Sequence, residues 1–200
     1  LTNHSYWNLE KNKKNMIFNH ELKLNSAKYL KINKNFIPTG RFKNVKKSIY
    51  DFSNFENIRK KLDYFKNKKL NIKFKDIKNS IYNFSNFQNI GKKLDYFKNK
   101  KLNIKFKGFD NTFVIKKNTR NLVATLKNKN SNIQVDFFSK LPGIQVYSAQ
   151  NLNFKKKLLP YQGICLETQY FPDTPNKKNF PTTLIKPNKR YTCFTKIKIH

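Results

Sequence analysis

The chain has 200 residues, 43 of them Lys or Arg and 11 Asp or Glu, giving a formal charge of +32. That length suffices for one domain with its own core, and no run of 18 apolar residues signals a transmembrane helix. Its two cysteines, Cys165 and Cys193, show no metal or redox spacing and read as buried free thiols in strands.

The charge by itself points to nucleic acid or an anionic surface. However, the basic residues are spread along the chain rather than gathered in one arm. Lys far outnumbers Arg, the better reader of bases and phosphates. The accompanying surplus of Asn, Ile, Phe and Tyr is what A/T-rich codons yield. We therefore expect no specific nucleic-acid partner, only weak binding that salt removes. No membrane partner is expected, and a cytoplasmic setting is.

In chain order, the opening places His4 among Asn3, Ser5, Tyr6, Trp7 and Asn8. A lone His is more often packed than catalytic, but this mixture of hydrogen-bonding groups and flat rings suits a carbohydrate pocket. Tyr6 or Trp7 is either a stacking platform or core. Residues 20–26 alternate as a strand, with Leu22 and Leu24 on one face; His20 and His200 read as surface residues.

Residues 45–76 and 77–108 are a tandem repeat in which six of 32 positions differ: Val45/Ile77, Lys47/Asn79, Asp51/Asn83, Glu56/Gln88, Arg59/Gly91 and Asp76/Gly108. Two copies are too few for a solenoid, so a duplicated stretch is the better explanation. Each copy carries an apolar set at helical spacing: Ile58, Leu62 and Phe65, then Ile90, Leu94 and Phe97. At most this is a short amphipathic helix; the alternative is a poorly ordered lobe. Only the second copy leads into Gly108-Phe109-Asp110.

Residues 121–126 and 133–138 predict a hairpin across a polar turn at 127–132. A strand at 144–148 follows Leu-Pro-Gly, and another spans the apolar run after Gly163. The Pro-rich stretch 172–187 reads as a loop. Alternation over 190–199 predicts a closing strand. Many strands, short turns and little helix argue for an all-β sandwich.

In the strand after Gly163, Ile164, Leu166, Thr168 and Tyr170 share one face. Cys165, Glu167 and Gln169 share the other. A carboxylate there is costly to bury without a partner; the alternative is an edge strand with a wet second face. A His and a Glu of opposite protonation make a general acid and base near neutral pH.

Five segments together resemble the aldose 1-epimerase family: LTNHSYWNL at 1–9, IPTG at 37–40, GFDNTFVI at 108–115, PGIQVYSAQN at 142–151 and GICLETQYFPDTPNKKNFP at 163–181. The first and last are long and specific. The resemblance implies a large antiparallel β-sandwich, the galactose mutarotase-like supersandwich, incomplete at its N-terminus, over one domain, 1–200. It also implies roles. His4 matches the acid that protonates the sugar ring oxygen, and Glu167 the base that deprotonates the C1 hydroxyl. Asp110 and Gln145 match residues that bind sugar hydroxyls. Asn111 departs from the pattern, which usually has His there. The family's preceding portion, with several strands and a sugar-contacting Arg and His, has no counterpart in this sequence.

Gly40 and Gly108 are 68 residues apart, and removing one copy of the repeat leaves 36, near the family spacing. One copy thus fills the native position and the other is inserted. The expected activity is interconversion of the α and β anomers of a free aldohexose such as glucose or galactose, with no cofactor and no catalytic metal. Alternatives are a non-catalytic sugar-binding remnant, a hexose-phosphate epimerase and, more distantly, a basic nucleic-acid-binding protein.

Overall fold

The computed structural model describes residues 1–70, 108–116, 121–153 and 158–200. Among these, eleven strands and one α-helix follow in the order β1 (Tyr6–Trp7), β2 (His20–Leu24), β3 (Ser26–Ile32), β4 (Pro38–Asn44), β5 (Glu56–Asn57), α1 (Ile58–Leu70), β6 (Asp110–Ile115), β7 (Leu122–Asn128), β8 (Ile133–Ser139), β9 (Gly143–Tyr147), β10 (Ile164–Gln169) and β11 (Thr195–Ile199). They build a six-stranded sheet, β1-β10-β9-β6-β3-β4, and a five-stranded sheet, β11-β8-β7-β2-β5. Every pairing is antiparallel. The all-β antiparallel expectation therefore holds.

The core is the apolar face of each sheet turned inward. Leu22, Leu24, Val123, Leu126, Val135 and Phe137 come from the five-stranded sheet. Phe113, Ile144, Val146, Ile164 and Leu166 come from the six-stranded one. Trp7 joins this core, its ring edge-on to Phe137 at 5.4 Å, so the stacking reading falls on Tyr6 instead. The hairpin expected at 121–138 forms as β7 and β8, with Asn132 in the left-handed region where the turn rejoins the strand.

Residues 20–26 are not one strand. Asn25 interrupts them: its N–H donates to the Val123 carbonyl, and its amide to those of Lys116 and Leu122. β2 thus enters one sheet and β3 the other, which ties the two together. His20 is a second correction. It is fully buried rather than on the surface, because β2 alternation turns it inward with Leu22 and Leu24. Its Nε2 accepts the Leu9 N–H at 2.7 Å. Burial holds its pKa down to about 4. Nearby Glu10, also buried, accepts from Asn128 at 2.8 Å and from Asn19 at 3.1 Å.

The final strand is shorter than expected. It begins at Thr195 as an edge strand on β8, and Cys193 lies before it, exposed rather than buried. The Pro-rich stretch is a loop containing one short turn of helix at Thr174–Asn176.

The first copy of the repeat docks onto the sandwich. Val45, Phe52, Ile58 and Leu62 are buried in the main core. Tyr50 stacks on Tyr29 at 4.1 Å, and Phe52 meets Phe109 edge-on at 5.2 Å. The expected helix forms as α1, with Ile58 and Leu62 one turn apart on its buried face. The matching set in the second copy, Ile90, Leu94 and Phe97, lies outside the described residues.

Candidate active site

The polar face of the six-stranded sheet gathers the candidate residues. Strand pairing places Tyr6 opposite Cys165, Cys165 opposite Tyr147, and Tyr147 opposite Asp110. The next row pairs Glu167 with Gln145 and Gln145 with Thr112. Directly opposed residues share a sheet face, and each of these strands alternates. These seven side chains therefore stand on one surface, while Ile164, Leu166, Ile144 and Val146 stand on the core side. β10 is not an edge strand: β1 flanks it on one side and β9 on the other. The wet-edge reading of Glu167 fails for that reason, and the residue is 6% exposed.

His4 arrives from the segment before β1. Its Nε2 lies 3.7 Å from Glu167 Oε1, with the His4 side chain 53% exposed and that of Glu167 8% exposed. Its Nδ1 lies 3.6 Å from Cys165 Sγ. The Tyr6 ring tilts against the imidazole at a centroid distance of 5.2 Å, and Tyr147 meets Tyr6 edge-on at 6.4 Å. Gly163 makes this approach possible: a Cβ there would stand 2.9 Å from Tyr6 Cβ.

Asp110 is held by Gln145, whose Nε2 donates to its Oδ1 at 2.7 Å. Gln145 Oε1 in turn accepts from the Thr112 hydroxyl. Thus Asp110, Gln145 and Thr112 form a chain of hydrogen bonds across β6 and β9.

Burial dominates the electrostatics. It raises the Glu167 pKa; His4 opposes this and Asp110 adds to it. Burial raises Asp110 as well, against the Gln145 hydrogen bond and His4. It also pushes the Cys165 thiol up to about 12, helped by the two carboxyls. A carboxylate with a raised pKa is a stronger base than one in water, which suits proton abstraction near neutral pH.

The structure thus brings together all four residues singled out in the sequence, His4, Glu167, Asp110 and Gln145. Sequence reading missed Cys165, Thr112 and Tyr147 as neighbours of this group. Alternation put Cys165 on the face of Glu167, but only register shows which strands adjoin. A separate cavity of about 590 Å³ lies against Phe42, Val114, Leu141 and Phe171, and none of the four lines it.

A two-sheet antiparallel sandwich with a His, two carboxyls and a Gln on one polar sheet face defines a β-sandwich protein with acidic and basic side chains gathered on one sheet. The aldose 1-epimerase family profile matches residues 1–198, and the chain belongs to that family. It is 26% identical to galactose mutarotase of Bos taurus over 205 residues, covering 99% of this chain and 48% of that protein. Against galactose mutarotase of Homo sapiens the identity is 27%, with the same coverage of 99% and 48%. The chain therefore spans about half the length of these relatives. The fold is similar to that of the GalM/aldose epimerase homologue from C. elegans, with a TM-score of 0.68 and 21% identity over 99% of this chain and 49% of that one. Galactose 1-epimerase from Lactobacillus acidophilus superposes with a TM-score of 0.56 at 15% identity, over 92% of this chain and 45% of that one.

Proposed function

We propose that the chain interconverts the α and β anomers of free aldohexoses by acid–base ring opening. Glu167 takes the proton of the C1 hydroxyl. The electron pair left on that oxygen forms the C1 carbonyl as the bond from C1 to the ring oxygen breaks. The ring oxygen takes up a proton from His4. Rotation about C1–C2 and reversal of both transfers close the ring on the other face. No electrons are lost or gained, and no group leaves. Asp110 and Gln145 orient the sugar through its hydroxyls. Each positioned proton-transfer group typically contributes about 10²–10⁴-fold.

The observation that supports this best is the 3.7 Å approach of His4 Nε2 to Glu167 Oε1. One group is buried and rigidly set in a strand. The other is half exposed, so it can yield to an incoming hemiacetal. The test is polarimetry with fresh α-D-glucose and α-D-galactose. The parent chain should exceed the buffer rate, and Glu167→Gln should remove the excess while retaining its circular dichroism. A folded Glu167→Gln as fast as the parent overturns the assignment of the base.

A second reading, sugar binding without turnover, needs only the hydroxyl-binding groups Asp110 and Gln145, which are already linked by a hydrogen bond. It predicts saturable heat on calorimetric titration with galactose and no faster mutarotation. A phosphorylated hexose draws less support. Among the described residues, His4 is the basic side chain that acts on Glu167 and Asp110, and no Lys or Arg joins it.

A further inference from the structure

The geometry points to a second capacity of the same sheet face: His4, Cys165 and Glu167 form a three-ligand site for a borderline-soft divalent cation, Zn²⁺ or Co²⁺, whose binding excludes sugar. One ligand atom from each residue lies within 4.8 Å of the others. A tetrahedral zinc site with S, N and O ligands has edges of about 3.3–3.6 Å, from its bond lengths. The His4 Nδ1 to Cys165 Sγ separation of 3.6 Å is already at such an edge. The remaining closure is roughly an ångström. It falls on the half-exposed His4 ring, which can rotate.

The donor set arises from local structure. Cys165 and Glu167 are two apart on β10, so alternation points both to one face. His4 approaches from the solvent side and leaves a fourth position open, as three-ligand zinc sites do. Asp110 adds negative charge close by, since it raises the pKa of both Cys165 and Glu167. A sulfur and an imidazole favour Zn²⁺ and Co²⁺ over Mg²⁺ and Ca²⁺. On binding, the thiol proton passes to buffer as the metal–sulfur bond forms. The cation then occupies both groups assigned to proton transfer, so it acts as an inhibitor rather than a cofactor. The site itself stands whether or not the chain turns over sugar.

The test is titration of the full chain, in a Cys193→Ser background, with Co²⁺ alone. We expect one equivalent to bind with intense tetrahedral visible bands and a near-ultraviolet sulfur-to-cobalt charge-transfer band. Zn²⁺ should displace it and Mg²⁺ should not. Cys165→Ser should abolish the charge-transfer band. His4→Gln alters an exposed side chain, so the fold should be kept, and it should weaken Co²⁺ binding at least tenfold. Absence of the charge-transfer band in the folded parent, or its persistence in Cys165→Ser, overturns the site. Because the readout uses no sugar, its failure is distinct from a failure of the epimerase reading.

Discussion

Gln145 stands opposite Glu167 in the β9–β10 ladder, yet its amide is committed to the strand on its other side. It donates to Asp110 at 2.7 Å while accepting from Thr112. The Asp110 carboxylate accepts and so fixes which end of the amide faces it, and the Thr112 hydroxyl holds the other end.

Replacing Thr112 with Val keeps the shape and removes that donor. A buried carbonyl left without its partner costs about 1–3 kcal/mol. The amide is then held at its Asp110 end alone, and sugar orientation suffers before proton transfer does. We expect KM for galactose to rise several-fold with kcat within about twofold, measured by polarimetry across substrate concentration.

Asp110→Asn removes a negative charge that, with burial, holds the Glu167 pKa above the usual carboxylate range. The base must be ionised to act. Its raised pKa sets the acid limb of the kcat/KM profile, so activity falls as pH drops through it. Without the Asp110 charge the Glu167 pKa falls, and the acid limb moves to lower pH. A pH profile of Asp110→Asn that rises at the same pH as the parent would remove Asp110 from this role.

Stability should respond to His20. Its pKa is about 4 in the fold against 6.5 ordinarily. Between those values the unfolded chain binds the proton and the folded one does not. The contribution is thus intact above about pH 6.5 and is lost as pH falls toward 4, by roughly 1.4 kcal/mol per unit at most. Buried Glu167 and half-buried Asp110, with raised pKa values, titrate in the opposite sense. The comparison with His20→Gln isolates the term: its urea midpoint should depend less steeply on pH over that window.

The duplication yields a paired deletion. Removing residues 76–107 joins the docked first copy to Gly108, and the urea midpoint should change little, because closure entropy depends only weakly on the length of an inserted segment. Removing residues 45–76 leaves the second copy, where Gly91 replaces Arg59. That exchange loses helix propensity worth about 1 kcal/mol. It also loses the Arg59–Asp63 pair and the Arg59 contact over the Phe18 ring. This second deletion should be the less stable by about 1–2 kcal/mol.

Gly163→Ala places a methyl 2.9 Å from Tyr6 Cβ. The β1–β10 pairing must shift, and His4, two residues from Tyr6, shifts with it. We expect mutarotation to fall at least tenfold while the far-ultraviolet spectrum is retained.

Much of this was legible in the residues. Period-two alternation located β7, β8, β9 and β10, because each has one face against the core. The helical spacing of Ile58 and Leu62 located α1 for the same reason. The failures have a common cause. Asn25 and His20 each carry a local pattern compatible with two environments, and partners outside that pattern chose between them, while Cys193 falls just short of the strand that was to bury it. Asn25 is claimed by Lys116 and Val123, and His20 by the Leu9 amide.

The sequence by itself determined the alternation of each strand and thus which side chains share its face. It also carried the motifs that placed the chain in its family. Only the tertiary structure decided that Tyr6, Cys165, Tyr147 and Asp110 form one row and Glu167, Gln145 and Thr112 the next. Alternation is a property of one backbone, fixed by local stereochemistry. Register is a relation between backbones, fixed by which apolar faces can be buried together.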